Sequence, residues 1–265
     1  MSKSIPGSEV VVKQENAVST DVQALADWGA PMPLGQDIVI SKVLPMQAMS
    51  KFVLDGKAQI GDFRDSLTGA KLGSIAEPMP LLPFHVEKFW DVMQPNEKGD
   101  FKWIRSEPLV ENPVDPKYND NLPWMDKLDG IETKRIRRMN FYVLRPSEIA
   151  DGSAIPFILS FKSTSFKEGK KLFTQMYLRN RKVGLPPPGY LIILGGRKEK
   201  NDDGQWIVPE FELGPKAEPA QIKEALNWFK LIQKGSVKVD DSDLGEVSVD
   251  NVDLSDVSAD GVGHF

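Results

Sequence analysis

The stretch KRIRRMNFYVL, residues 134–144, sets four cations ahead of two aromatic rings. As a strand it puts Arg135, Arg137, Met139, Phe141 and Val143 on one side. Lys134, Ile136, Arg138, Asn140, Tyr142 and Leu144 fall on the other. Each side carries positive charge at one end and a ring toward the other. Cations neutralise phosphates and release counterions, while an aromatic face accepts any base at about 1–3 kcal/mol per stack. The chemistry predicted is binding of single-stranded nucleic acid, with one of Phe141 and Tyr142 filling the core instead.

SFKSTSFKEGKKLF, residues 160–173, repeats the theme on a helix. Ser165 and Glu168 read as a capping box. Lys162 precedes the helix, and Lys167, Lys170 and Lys171 crowd its first turns, where the helix dipole disfavours cations. Their presence there points to an anionic ligand. Tyr177, Arg179, Arg181 and Lys182 extend the surface, although basic residues at a helix C-terminus also complement the dipole. In GDFKWIRS, Phe101 and Trp103 offer a second stacking platform, against the usual preference of tryptophan for the core.

Enzymatic signatures fail in turn. The Gly-Lys of FKEGKKL lacks the upstream glycine and the hydroxyl of a phosphate loop, and neither GxGxxG nor GxSxG occurs. His85 is a lone strand histidine with Glu87 on its face, which reads as a satisfied structural pair. With no cysteine and two histidines there is no Cys nucleophile, no Cys-ligated zinc and no multi-His centre. The expectation is a protein that is not an enzyme and takes no metal or cofactor.

The net charge of −5 conceals a strong asymmetry. Residues 134–200 carry 15 basic and 4 acidic residues, a net +11, whereas residues 239–265 carry eight acids and no base. Blocks of opposite sign predict a basic surface for a polyanion and an acidic appendage that competes for it. No apolar run approaches a membrane span and the start lacks a signal pattern, so a cytoplasmic location is expected.

Strands are predicted over 37–44, 81–93, 99–106, 134–144 and 155–162. A turn falls at Thr68-Gly69, and 43–63 reads as a mobile connector. SEPLVENPVDPKYNDNLPW, residues 106–124, reads as an irregular surface loop. A helix follows from about 166 and stops at GLPPPG, a hairpin turns at NDDG, and an amphipathic helix opens at Pro219. The class is α+β, mainly β with a few helices. Its order, with a helix between the third and fourth strands, fits an elaborated OB-fold-like five-stranded barrel with a C-terminal amphipathic helix, and also a generic α+β sandwich. The expected organisation is a flexible segment at 1–35, one domain at 36–236 and a disordered acidic tail at 237–265.

That tail ends DNVDLSDVSADGVGHF, its acids interrupted by Val, Leu and finally Phe265. Together with DGKAQIGDFRDSLTG, LLPFHVEKFW and IPFILSFKSTSFKEGKKL, it resembles the single-stranded DNA-binding proteins of tailed phages, over roughly residues 37–265. The resemblance implies an oligonucleotide-binding fold and coating of single-stranded DNA during phage replication or recombination. It also implies recruitment of phage or host replication proteins through the tail, with Asp253, Asp256, Asp260 and Phe265 as the contact residues. His264 departs from the usual run of acids. The alternative is a virion or host-interaction protein that binds no nucleic acid.

Overall fold

The computed structural model describes residues 39–183, 188–201, 204–234 and 238–239. The chain divides into two units, residues 1–34 and 35–265, and every described residue belongs to the second. The expectations for residues 1–35, and those for the tail beyond 239, lie outside the described residues.

Along the chain run β1 (Val39–Ile40), β2 (Val43–Pro45), α1 (Lys51–Leu54), β3 (Asp62–Asp65), β4 (Lys71–Ser74) and β5 (Met79–Pro95). Then come β6 (Phe101–Pro108), β7 (Met125–Leu128), β8 (Ile131–Leu144), α2 (Pro146–Ala150), β9 (Phe157–Lys162) and α3 (Phe166–Val183). The series closes with β10 (Tyr190–Asn201), β11 (Gly204–Lys216), α4 (Pro219–Gln233) and β12 (Lys238–Val239). The fold is α+β and mainly β, and its sheets are open.

Two long strands, β5 and β8, pair antiparallel from Leu82↔Leu144 to Met93↔Lys134 and form a central ribbon. At one end β10 joins the start of β5 and β9 joins the end of β8, with β11 outside β10. At the other end β6 pairs with β5 and β7 pairs with β8. A smaller sheet, β2-β3-β4, turns at Gly69, whose φ of +70° suits glycine. The predicted mobile connector holds β2, α1 and the start of β3.

Alternation along the ribbon builds two cores on its two faces. On the first face Met139, Phe141 and Val143 pack with Leu159 and Phe161 of β9 and Leu194 of β10. Helix α3 seals this core with Leu172, Phe166, Phe173 and Met176. Its approach depends on Gly169, where a Cβ would lie 2.8 Å from Phe161 Cβ. On the second face Leu82, Phe84, Tyr142, Leu144 and Ile158 lie under Ile222, Ala225 and Phe229 of α4. Phe84 is the extra residue of a bulge between Pro83 and His85, which turns His85 onto the second face opposite Tyr142.

The expected capping box at Ser165 gives way to a different arrangement. Ser165 accepts from the Lys162 amide at 3.0 Å and donates to the Lys162 carbonyl at 2.8 Å, closing a tight turn before α3. The Glu168 carboxylate instead faces Arg197 and Lys171, each at 3.5 Å, and ties α3 to β10. Residues 41–47 link β9 to β11. The Ser41 carbonyl accepts from the Ile158 amide at 2.9 Å, and the Gln47 side chain exchanges two hydrogen bonds with the Ile207 backbone, 2.7 and 3.1 Å.

Candidate nucleic-acid interface

Residues opposite one another in a sheet share a face, so the register sorts the predicted site. Arg135 pairs with Val92 and Arg137 with Trp90, which places both arginines on the first face beyond the α3 core. Residues 109–124 cover that stretch. Trp90 Nε1 donates to the Asn119 carbonyl at 3.0 Å, and Lys88 meets Glu111 at 2.5 Å. Arg137 lies 4.9 Å from the Trp90 ring centroid and reaches the Asp120 carbonyl and carboxylate, both at 2.7 Å. Arg135 is buried and meets Asp126 at 3.4 Å. The predicted irregular loop is thus a strap, held by Lys88, Trp90 and Arg137, the last of which the sequence suggested for phosphates.

The two candidate stacking rings of β8 fall inside the molecule. Phe141 is fully buried and packs edge-on against Phe161, 5.6 Å between centroids. Tyr142 is buried under α4 and donates its hydroxyl hydrogen to Glu87 at 2.7 Å. Neither ring offers a face to a base.

The second face beyond α4 has a different character. One row across the strands reads Phe89, Arg138, Lys162; the next, Ser106, Asp91, Ile136; the next, Trp103, Met93, Lys134, Met125. Phe101 follows beside Pro95. Lys134 Nζ lies 5.8 Å from the Phe101 centroid, and the Arg138 guanidinium lies 5.2 Å from that of Phe89. Lys134 and Arg138 are four strand residues apart, about 13 Å. Cations and rings therefore alternate along one surface, which Trp103 enters 46% exposed.

The face is not uniformly positive. Arg138 meets Asp91 at 3.3 Å and donates to Ser106 Oγ at 2.9 Å, and both charged residues are more than nine-tenths buried. At the edge nearest α4, Glu87 meets His85 Nε2 at 3.5 Å, and His85 stands edge-on to Phe229 at 5.2 Å. Burial pushes the Glu87 carboxyl up. The hydrogen bonds from His85 and Tyr142, with the charges of His85 and Arg138, outweigh burial and hold it below the ordinary carboxylate range.

Of the predicted residues, Lys134, Arg138, Lys162, Phe101 and Trp103 come together. Lys167, Lys170 and Lys171 do not join them, because α3 packs on the first face. There they are exposed, Lys170 near the Phe166 ring at 5.3 Å and Lys171 near Phe211 at 5.6 Å. Tyr177 stacks on Phe173 at 6.5 Å, and the Arg179 guanidinium covers Tyr190 at 3.7 Å. Arg181 and Lys182 fall on the last turn of α3, where only the backbone is described, and Asp253, Asp256, Asp260 and Phe265 lie outside the described residues. Phe89 and Ser106 are members that the sequence reading missed. Phe89 follows His85 and Glu87 at strand spacing, a signal that was present.

Among the described residues no cluster of three or more His, Asp or Glu is placed to hold a metal ion, and no described helix is long and apolar enough to cross a membrane. No family model, curated protein or solved structure matches the chain.

Proposed function

We propose that the chain is a non-enzymatic single-stranded DNA-binding protein built on an OB-type barrel. The observation that carries this reading is the row structure of the second face, where Lys134, Arg138 and Lys162 share one surface with Phe89, Phe101 and Trp103. Phosphates meet Lys134 and Lys162, which are only partly buried, and bases stack on the rings, without need of a sequence code.

Strand order supports the fold assignment. Taking β5, β8, β9 and β10 as strands one to four, their spatial order is four-one-two-three, a Greek key, with β11 adjoining as a fifth strand. Helix α3 lies in the connection between the third and fourth strands. OB barrels are partly open Greek keys that bind oligonucleotides on the face of strands two and three. Here that face belongs to β8 and β9. The gap between β9 and β11 is where residues 41–47 make their hydrogen bonds, and β6 and β7 are insertions between strands one and two.

In this reading the protein coats unpaired DNA in the cytoplasm of a phage-infected cell during replication or recombination. The acidic tail competes for the cationic face and recruits replication proteins through Asp253, Asp256, Asp260 and Phe265. The test is titration of single-stranded and duplex oligonucleotides at two salt concentrations, full-length beside a variant lacking 239–265. Binding that prefers single strands, weakens steeply with salt and tightens on removal of the eight acids supports the reading. Absent or salt-insensitive binding refutes it. The second reading, a virion or host-interaction protein, draws on the internal pairing of Arg135, Arg137 and Arg138, which removes three cations from the basic block. It requires that no oligonucleotide bind.

A further inference from the structure

Trp103 and Ser106 are three residues apart, which in a regular strand puts them on opposite faces. In β6 they share one. Val92 pairs with Arg105 and Met93 with Trp103, so Ile104 is an extra residue that re-aims Trp103. A serine hydroxyl has one hydrogen to donate and two lone pairs. Ser106 Oγ uses all three: it donates to Asp91 Oδ1 at 2.7 Å and accepts from Arg138 Nη2 at 2.9 Å and from Trp103 Nε1 at 3.1 Å. The indole is thus pinned at its nitrogen while nearly half its surface faces solvent.

We propose that Ser106 is a positioning residue that holds the Trp103 indole ready as a stacking platform for an unpaired base, an inference that rests on the nucleic-acid reading above. Freezing a large side chain before the ligand arrives removes an ordering cost worth a two- to tenfold change in affinity, about the effect expected of losing the hydroxyl. The ligand class follows from the geometry. An exposed, fixed ring recognises a base face that is free, and a base inside a duplex has both faces covered by its neighbours. The bulge at Ile104 and the saturated hydroxyl therefore bias the surface toward single strands, independently of its charge.

The test compares oligo-dT with an abasic oligonucleotide of the same length, each against wild type, Ser106→Ala, Ser106→Thr and Trp103→Ala, with the Ser106→Ala/Trp103→Ala double variant. Expected is a several-fold loss for Ser106→Ala on oligo-dT, none on the abasic strand, near wild-type behaviour for Ser106→Thr, and no additional loss when Trp103 is already alanine. Equal losses on both strands, or losses that multiply in the double variant, overturn the assignment. A readout that needs no DNA is ¹⁹F NMR of protein labelled with 5-fluorotryptophan, which has six tryptophans, with the Trp103 line identified through Trp103→Phe. That line sharpens in Ser106→Ala if the hydroxyl restrains the ring, and an unchanged line overturns the restraint. If wild type binds neither strand while the line still sharpens, the restraint stands and the nucleic-acid ligand falls.

Discussion

Replacing Asp91 with Asn is expected to weaken the fold and strengthen the attraction for DNA. Asp91 and Arg138 face one another at 3.3 Å with less than a tenth of either exposed, so the carboxylate compensates a cation held on the candidate binding face. Removing one partner of a buried pair costs about 3–5 kcal/mol, because the remaining charge stays in a poor solvent. Asparagine keeps an oxygen to accept from Ser106, which argues for the lower end, about 3 kcal/mol. For a domain of this size that lowers Tm by about 6–12 °C. The unmatched guanidinium meanwhile becomes available to phosphate. One further phosphate contact steepens the dependence of log K on log salt by about 0.7 for a single strand. Urea melts and oligo-dT titrations over a salt series read both quantities on the same preparation. Loss of stability with an unchanged or shallower salt slope would show that Arg138 does not face the nucleic acid.

Lys134→Gln and Lys162→Gln should each reduce the salt slope by about 0.7 with little change in stability, whereas Lys167→Gln and Lys170→Gln on α3 should leave the slope alone. The reverse pattern would move the site to α3. Gly169→Ala should destabilise by about 1 kcal/mol in urea melts. The helix gains about 1 kcal/mol from alanine, but a Cβ 2.8 Å from Phe161 Cβ overpacks the α3–β9 contact by about 1–3 kcal/mol. A gain in stability would contradict that packing. Because the folded-state pKa of Glu87 is depressed, its contribution is fully present above the unfolded value of about 4.5 and is lost as pH falls through the folded value. Thermal melts should therefore hold steady from neutral pH to about 4.5 and decline below, and Glu87→Gln, less stable at neutral pH, should decline less. Equal declines would show that Glu87 is not the group responsible.

Periodicity made much of this architecture legible before any coordinates. β5, β8, β9, the β10–β11 hairpin, α3 and α4 are long enough for alternation or a helical stripe to speak. β7 is not, since Met125–Leu128 is a mixed run of four residues that exists because the start of β8 offers it partners. The site was legible as charge and rings but not as geometry. Arg137 looks like a phosphate contact until Asp120, 17 residues upstream, is folded onto it. Which of Phe141 and Tyr142 faced inward proved the wrong question, because α3 buries one face of β8 and α4 the other. The displacement of Trp103 by Ile104 depends on the register with β5, and no local pattern announces it.

The most direct measurement is ultraviolet crosslinking of a bromodeoxyuridine oligonucleotide, with the attached peptides identified by mass spectrometry. Attachment at Trp103, Phe101 or Phe89 is the predicted result. Attachment confined to Tyr177 and its neighbours on α3, or none above background, would contradict the account.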